Sequence, residues 1–151
     1  MTVRFECRTS VAASIEDVFE LALSVDAHQA SMARFGERAI GGVTSGTLHL
    51  GDEVTWRARH LGVTWTMTSQ IAELDRPRRF VDQQVRGPFA RFRHEHTFTE
   101  VGDSPSMEDL VTFDAPLGVI GVLVEPLVRH HLRTLIEDRN EFLRRSAEAH
   151  R

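Results

Sequence analysis

The chain has 151 residues, 41% hydrophobic and 26% charged, and a formal net charge of −4. This composition suits one globular domain with a sizeable core, excludes a disordered chain, and gives no support to nucleic-acid binding. The single Cys7 excludes an internal disulfide and a cysteine-based zinc site and suits a reducing compartment.

All 18 basic residues are arginine, which reads as a compositional bias. The first ten residues, MTVRFECRTS, are charged and short of apolar residues, so no signal peptide is expected. No apolar run approaches the ~18 residues of a membrane span, and the richest, Leu117 to Val124, stops at Glu125-Pro126. The expected location is the cytoplasm.

Val3 to Thr9 alternates as a strand, with Cys7 a small packed residue in it rather than a nucleophile. Ser14 with Asp17 three residues on is a capping signal, and Ile15, Val18, Phe19 and Ala22 follow at helical spacing to about Leu23. Asp26 with Gln29 is a second capping signal, opening another short helix that ends by Gly36. From Ala39 to Ala115 the chain reads as strands divided by turns. Glu53 to His60 and Val63 to Glu73 meet at Leu61-Gly62 as a hairpin. Arg79 to Val85, Arg91 to Glu100 and Met107 to Ala115 follow, with Gly102-Asp103-Ser104-Pro105 as the last turn. Val119 to Ala149 is helical, with Val124, Val128, Leu132, Leu135, Ile136, Phe142 and Leu143 on one face. Pro126 predicts a bend or a fresh start there.

Alternation across a strand sorts the faces. Val54, Trp56, Ala58 and His60 share one face of the first hairpin strand, and Val63, Trp65, Met67 and Ile71 one face of the second. Phe92, His94, His96 and Phe98 form a third inward set, and Met107, Asp109, Val111 and Phe113 a fourth. On the helix, Arg139 falls near the centre of the apolar stripe, His131 at its edge, and His130 outside. Polar groups in such an enclosure must be hydrogen-bonded, to one another, to water or to a ligand.

Three strings carry a resemblance: GDEVTWRARHLGV (Gly51 to Val63), RPRRFVDQQVRGPFARFRHEHTF (Arg76 to Phe98) and APLGVIGVLVEPLVRHHLRTLIEDRNEFL (Ala115 to Leu143). They resemble the START/SRPBCC helix-grip superfamily, more narrowly its bacterial cyclase/dehydrase-like ligand-binding proteins, across nearly the whole chain. Leu61 departs from the aromatic residue often found at the hairpin. The resemblance implies an α+β fold: a bent antiparallel sheet around a long C-terminal helix, with a ligand cavity between them. Fold alone does not choose among carriers, hormone binders and cyclases.

His94-Glu95-His96 places two imidazoles on one strand face. With Asp109 or His131 they could ligate a metal, yet the resemblance is to a group with no obligatory metal, and none is expected. The preferred reading makes them hydrogen-bonding groups of the cavity wall. Arg139 reads as a partner for Asp109, with a ligand anchor as the alternative. The chain has no nucleophile elbow, phosphate loop, HExxH motif or tyrosine. The expectation is therefore a non-catalytic binder or carrier of a small hydrophobic ligand (a lipid, isoprenoid quinone or polyketide-like compound), with no cofactor. Its expected ligand residues are Trp56, His60, Trp65, Met67, Phe92, His94, His96, Phe98, Asp109, Val111, Phe113, Val128, His131, Leu135 and Arg139. The alternatives are a polyketide cyclase/aromatase-type enzyme, and an accessory protein acting through its outer surface. Gly87-Pro88-Phe89 and Gly118 to Gly121 are candidate borders of the cavity entrance.

Overall fold

The computed structural model describes residues 2–115 and 118–150, without the side chains of residues 118–120 and 122. Strand β1 (Thr2–Ser10) leads into α1 (Ile15–Ala22), α2 (Val25–Ser31) and a single 3-10 turn (Ala33–Phe35). Six strands follow: β2 (Arg38–Gly42), β3 (Glu53–His60), β4 (Val63–Asp75), β5 (Arg79–Arg86), β6 (Arg91–Val101) and β7 (Ser104–Asp114). Helix α3 (Gly118–Ala149) completes the chain. The seven strands form one antiparallel sheet in the order β1-β7-β6-β5-β4-β3-β2, so the first two strands of the chain are the two edges. This is the expected helix-grip fold.

Local chemistry explains the joints. Ser14 caps α1 by accepting from Asp17 N at 3.2 Å. Leu61 and Gly62 both take positive φ, 52° and 77°, as a two-residue turn matching the right-handed twist of its strands requires. Two expectations need correction. Helix α2 is capped by Ser24, whose Oγ accepts from Ala27 N at 3.1 Å. Asp26 and Gln29 instead tie down loops, accepting from Gly46 N and Ala39 N. Ser104 and Pro105 already belong to β7, opposite Val101 and Glu100. The neighbouring β1 ends at the Ser10–Ser106 pair, so Pro105 sits beyond the doubly flanked part of its strand. Helix α3 runs through Pro126 without a fresh start. Pro126 is exposed, which leaves water to solvate the carbonyl that the missing N–H frees.

Helix α3 lies closest to β1 and reaches α1 and α2. Beneath it Val3, Phe5 and Cys7 of β1, Val111 and Phe113 of β7, and Ile136 make one buried cluster. A second, under α1, joins Phe19, Phe80, Phe98, Met107 and Leu143. Phe19 meets the rings of Phe80 and Phe98 edge-on at 5.6 and 5.1 Å. Burial pushes the Cys7 thiol up to about 11, as does the nearby Asp109 charge, so Cys7 is a packed and unreactive thiol. Val124, expected on the buried stripe, is exposed together with Leu123 and Leu127, because the helix has there run beyond the packed clusters.

Candidate functional site

Toward the β3 edge of the same face the interior is hollow. A cavity of about 230 Å³ opens between α3 and strands β3 to β6, and neither β1 nor β7 contributes to its lining. It is somewhat smaller than a typical small-molecule pocket of ~300–1,000 Å³. Trp56, Ala58 and His60 come from β3; Trp65, Met67, Ser69 and Ile71 from β4; Val128, His131, Leu132, Leu135, Ile136 and Arg139 from α3. The turn between β5 and β6 adds Pro88 and Phe89, with Phe89 stacked over Trp65 at 6.4 Å. Gln84 holds this turn, donating from Nε2 to Phe89 O at 2.8 Å and accepting from Phe89 N at 3.2 Å. The other proposed border, Gly118 to Gly121, falls largely on side chains outside the described residues.

Of the residues expected to meet a ligand, eleven line this space: Trp56, His60, Trp65, Met67, Phe92, His94, His96, Val128, His131, Leu135 and Arg139. Four do not. Val111 and Phe113 are packed under α3 beside β1, and Phe98 is packed under α1. Asp109 is sealed behind the histidines, its side chain at 0% exposure. Inward parity was correct for all four; their position across the sheet or along the strand puts them in filled regions.

At the floor of the cavity, β5, β6, β7 and α3 assemble a polar cluster. His94 Nε2 donates to Asp109 Oδ1 at 2.7 Å, and His96 Nε2 donates to Asp82 Oδ2 at 2.6 Å. Because ionised carboxylates only accept, each ring must carry a proton on Nε2. Asn140 Nδ2 donates to Asp109 Oδ2 at 2.5 Å, and Arg139 Nη1 donates to Asn140 Oδ1 at 3.0 Å. Arg139 also stands 3.7 Å from Asp109 Oδ1, so the expected pairing exists, reinforced through Asn140. His96 is sandwiched between the rings of Phe80 at 4.0 Å and His94 at 3.7 Å. Its buried Nδ1 has no hydrogen-bond partner.

Burial alone would raise both carboxyls. The hydrogen bond from His94 and the nearness of His96 outweigh it at Asp109, which is held well below its ordinary value. The His96 bond, with Arg139 nearby, likewise lowers Asp82. Burial, then the neighbouring His96, lowers His94, so this imidazole is neutral near pH 7.

Asp82, His94 and His96 each bring a ligand atom within 4.8 Å of the others. As arranged, however, they form a stack rather than a chelate. The imidazole planes lie within 23° of parallel, whereas a metal must sit about 2 Å from each nitrogen in the plane of both rings.

A second polar group rims the cavity. His28 Nε2 lies 3.0 Å from Glu37 Oε1, and His131 Nε2 shares a hydrogen bond of 3.2 Å with His60 Nδ1. The His60–His131 contact ties the hairpin end of β3 to α3 across the open side. Burial is the first cause lowering both of these imidazoles.

Asp82, Asn140, His28 and Glu37 were not singled out from the sequence. Asp82 was open to detection, since Phe80, Asp82 and Gln84 share a parity in β5, but the adjacent Val81 blurs the alternation. Val81 is buried on the opposite face, between Glu73 and Glu95. Arg79 and Arg93 bridge those two glutamates in a four-membered ion network.

A family model described as polyketide cyclase / dehydrase and lipid transport matches residues 2–148. The chain belongs to that family. Among solved structures, TTHA0849 from Thermus thermophilus superposes with a TM-score of 0.78 at 18% identity, covering 99% of this chain and 98% of that one. The Zhui aromatase/cyclase from a Streptomyces species gives 0.79 at 14% identity, covering 98% and 94%. A START superfamily protein from Mycobacterium smegmatis gives 0.68 at 16% identity, covering 93% and 98%. At these identities the likeness establishes the shared fold. No curated protein matches the sequence. No helix among the described residues is long and apolar enough to cross a membrane.

Proposed function

We propose that this member of the family binds a small, largely apolar molecule between β3–β6 and α3. One observation carries the reading. The same interface that is packed solid against β1 and β7 holds a cavity of about 230 Å³ against β3 to β6, walled by Trp56, Trp65, Met67, Phe92 and Leu135. The apolar walls suit a lipid chain or a ring compound. The family description, which joins lipid transport to cyclase chemistry, supports the same use of the cavity. Native mass spectrometry of gently purified protein is the test. An added mass that Leu135→Trp removes is expected; bare protein that also fails to take up naphthalene would overturn the reading.

A second reading, acid–base catalysis of the cyclase or dehydratase type, is favoured by one specific feature. One imidazole, His94, is oriented by the buried carboxylate of Asp109 and lines the apolar-walled cavity. Under it, His94→Gln leaves binding nearly intact while turnover falls roughly 10²–10⁴-fold. Under the binding reading, affinity and stability fall together.

A further inference from the structure

Asp82 is unlike the other charged groups of the cavity floor. The Asp109 side chain is sealed at 0% exposure and that of Arg139 at 6%, whereas the Asp82 side chain keeps 23%. Its Oδ2 is taken by His96 at 2.6 Å. Among the described residues its Oδ1 carries no hydrogen bond, and it is not sealed from the cavity. An apolar pocket thus meets, at its floor, an open acceptor atom on a carboxylate kept charged by its neighbours. Arg139, the floor's cation, is turned away into Asn140 Oδ1 and Ala22 O.

Taking the cavity as the binding site, as above, we infer that Asp82 selects a ligand with a hydrogen-bond-donating head, a phenolic or alcoholic hydroxyl, and rejects carboxylate ligands such as free fatty acids. A hydroxyl supplies the proton that Oδ1 lacks, and a bond to a charged acceptor is stronger than one to a neutral group. A second carboxylate there faces like charge, and Arg139, the cation of the floor, is already held by Asn140 Oδ1 and Ala22 O. An ammonium head meets Asp82 favourably too, but carries a much larger desolvation cost into apolar walls.

The test uses three probes of one shape, 2-naphthol, 2-methoxynaphthalene and 2-naphthoate, titrated into the full chain at pH 7 by fluorescence of Trp56 and Trp65. The expected order is 2-naphthol first, roughly tenfold or more tighter than the methyl ether that lacks the donor, and 2-naphthoate last. Asp82→Asn should shrink the naphthol preference several-fold and raise naphthoate affinity, because it removes the charge and keeps the shape. Equal binding of naphthol and its ether by the unaltered protein, or tightest binding of naphthoate, overturns the inference while leaving the cavity reading intact. Failure of all three probes to bind overturns both. The unaltered protein alone decides the ranking, so the test survives even if Asp82→Asn does not fold.

Discussion

Phe98 and Phe92 sit six residues apart on the same face of the same strand, yet they do different work. Phe98 is 2% exposed, locked against Phe19 and Phe80; Phe92 faces an empty space beneath Leu135. The same contrast runs across the sheet, where β7 is filled by Ile136 while β4, two strands beyond β6, stands clear of the helix. A bent sheet cannot stay in contact with one helix over its full width. Where α3 lies on β1 and β7, and where α1 covers the other end, side chains interdigitate. Elsewhere the curvature leaves room, and the chain lines that room with aromatic and histidine side chains instead of filling it.

The largest expected effect separates the two regions directly. Phe98→Ala should cost about 3–5 kcal/mol in urea unfolding, because close-packed neighbours cannot collapse into the void. Leu135→Ala, which only enlarges an existing cavity, should cost about 1 kcal/mol, since that side chain has already lost part of its contacts. Equal costs at the two sites would break the distinction.

The two carboxylates sharpen it inside the polar cluster. Asp109→Asn leaves sealed partners short of an acceptor charge and should cost about 2–3 kcal/mol. Asp82→Asn, open to the cavity, should cost about 1 kcal/mol or less, as the cavity side can be rehydrated. Urea midpoints of the two variants, compared side by side, decide this; a larger loss at Asp82 would contradict the assignment of which group is closed.

The smallest and most gradual effect is with pH. His94, His60 and His131 have folded values below 6.5, so below that pH the unfolded chain takes up protons that the folded chain refuses. Stability should therefore begin to fall as pH drops through 6.5. Asp109 and Asp82 have folded values below 3.8, so the stability they add is present above that pH and is lost as pH falls through their folded values. Urea midpoints at pH 7.5, 5.5 and 4 should decline in that order, and His94→Gln should flatten the upper step. A midpoint that rises on acidification would contradict the neutral folded state of these imidazoles.

Much of this was legible in the sequence because it is local. The Leu61-Gly62 turn, the Ser14 cap and the period-two faces of β3, β4 and β6 each follow from residues a few positions apart. Parity tells which face a side chain takes, and it placed His94, His96 and Asp109 inward. It does not tell how close the helix comes at that point, so Val111 and Phe113 read as cavity wall when they are core. Asp82 and Asn140 were missed for a related reason. Each sits in a run of polar residues and is singled out only by a partner from a different element, 14 positions away for Asp82 and 31 for Asn140.

The methionine methyl groups offer the most direct measurement of the contrast between filled and hollow regions. Met32 and Met67 line the cavity, whereas Met107 is fully buried in the packed cluster under α1. With carbon-13 methyl labelling, a naphthalene titration followed by NMR should move the Met67 and Met32 signals and leave Met107 in place. A Met107 shift as large as that of Met67, or no movement at any of the three, would contradict the account.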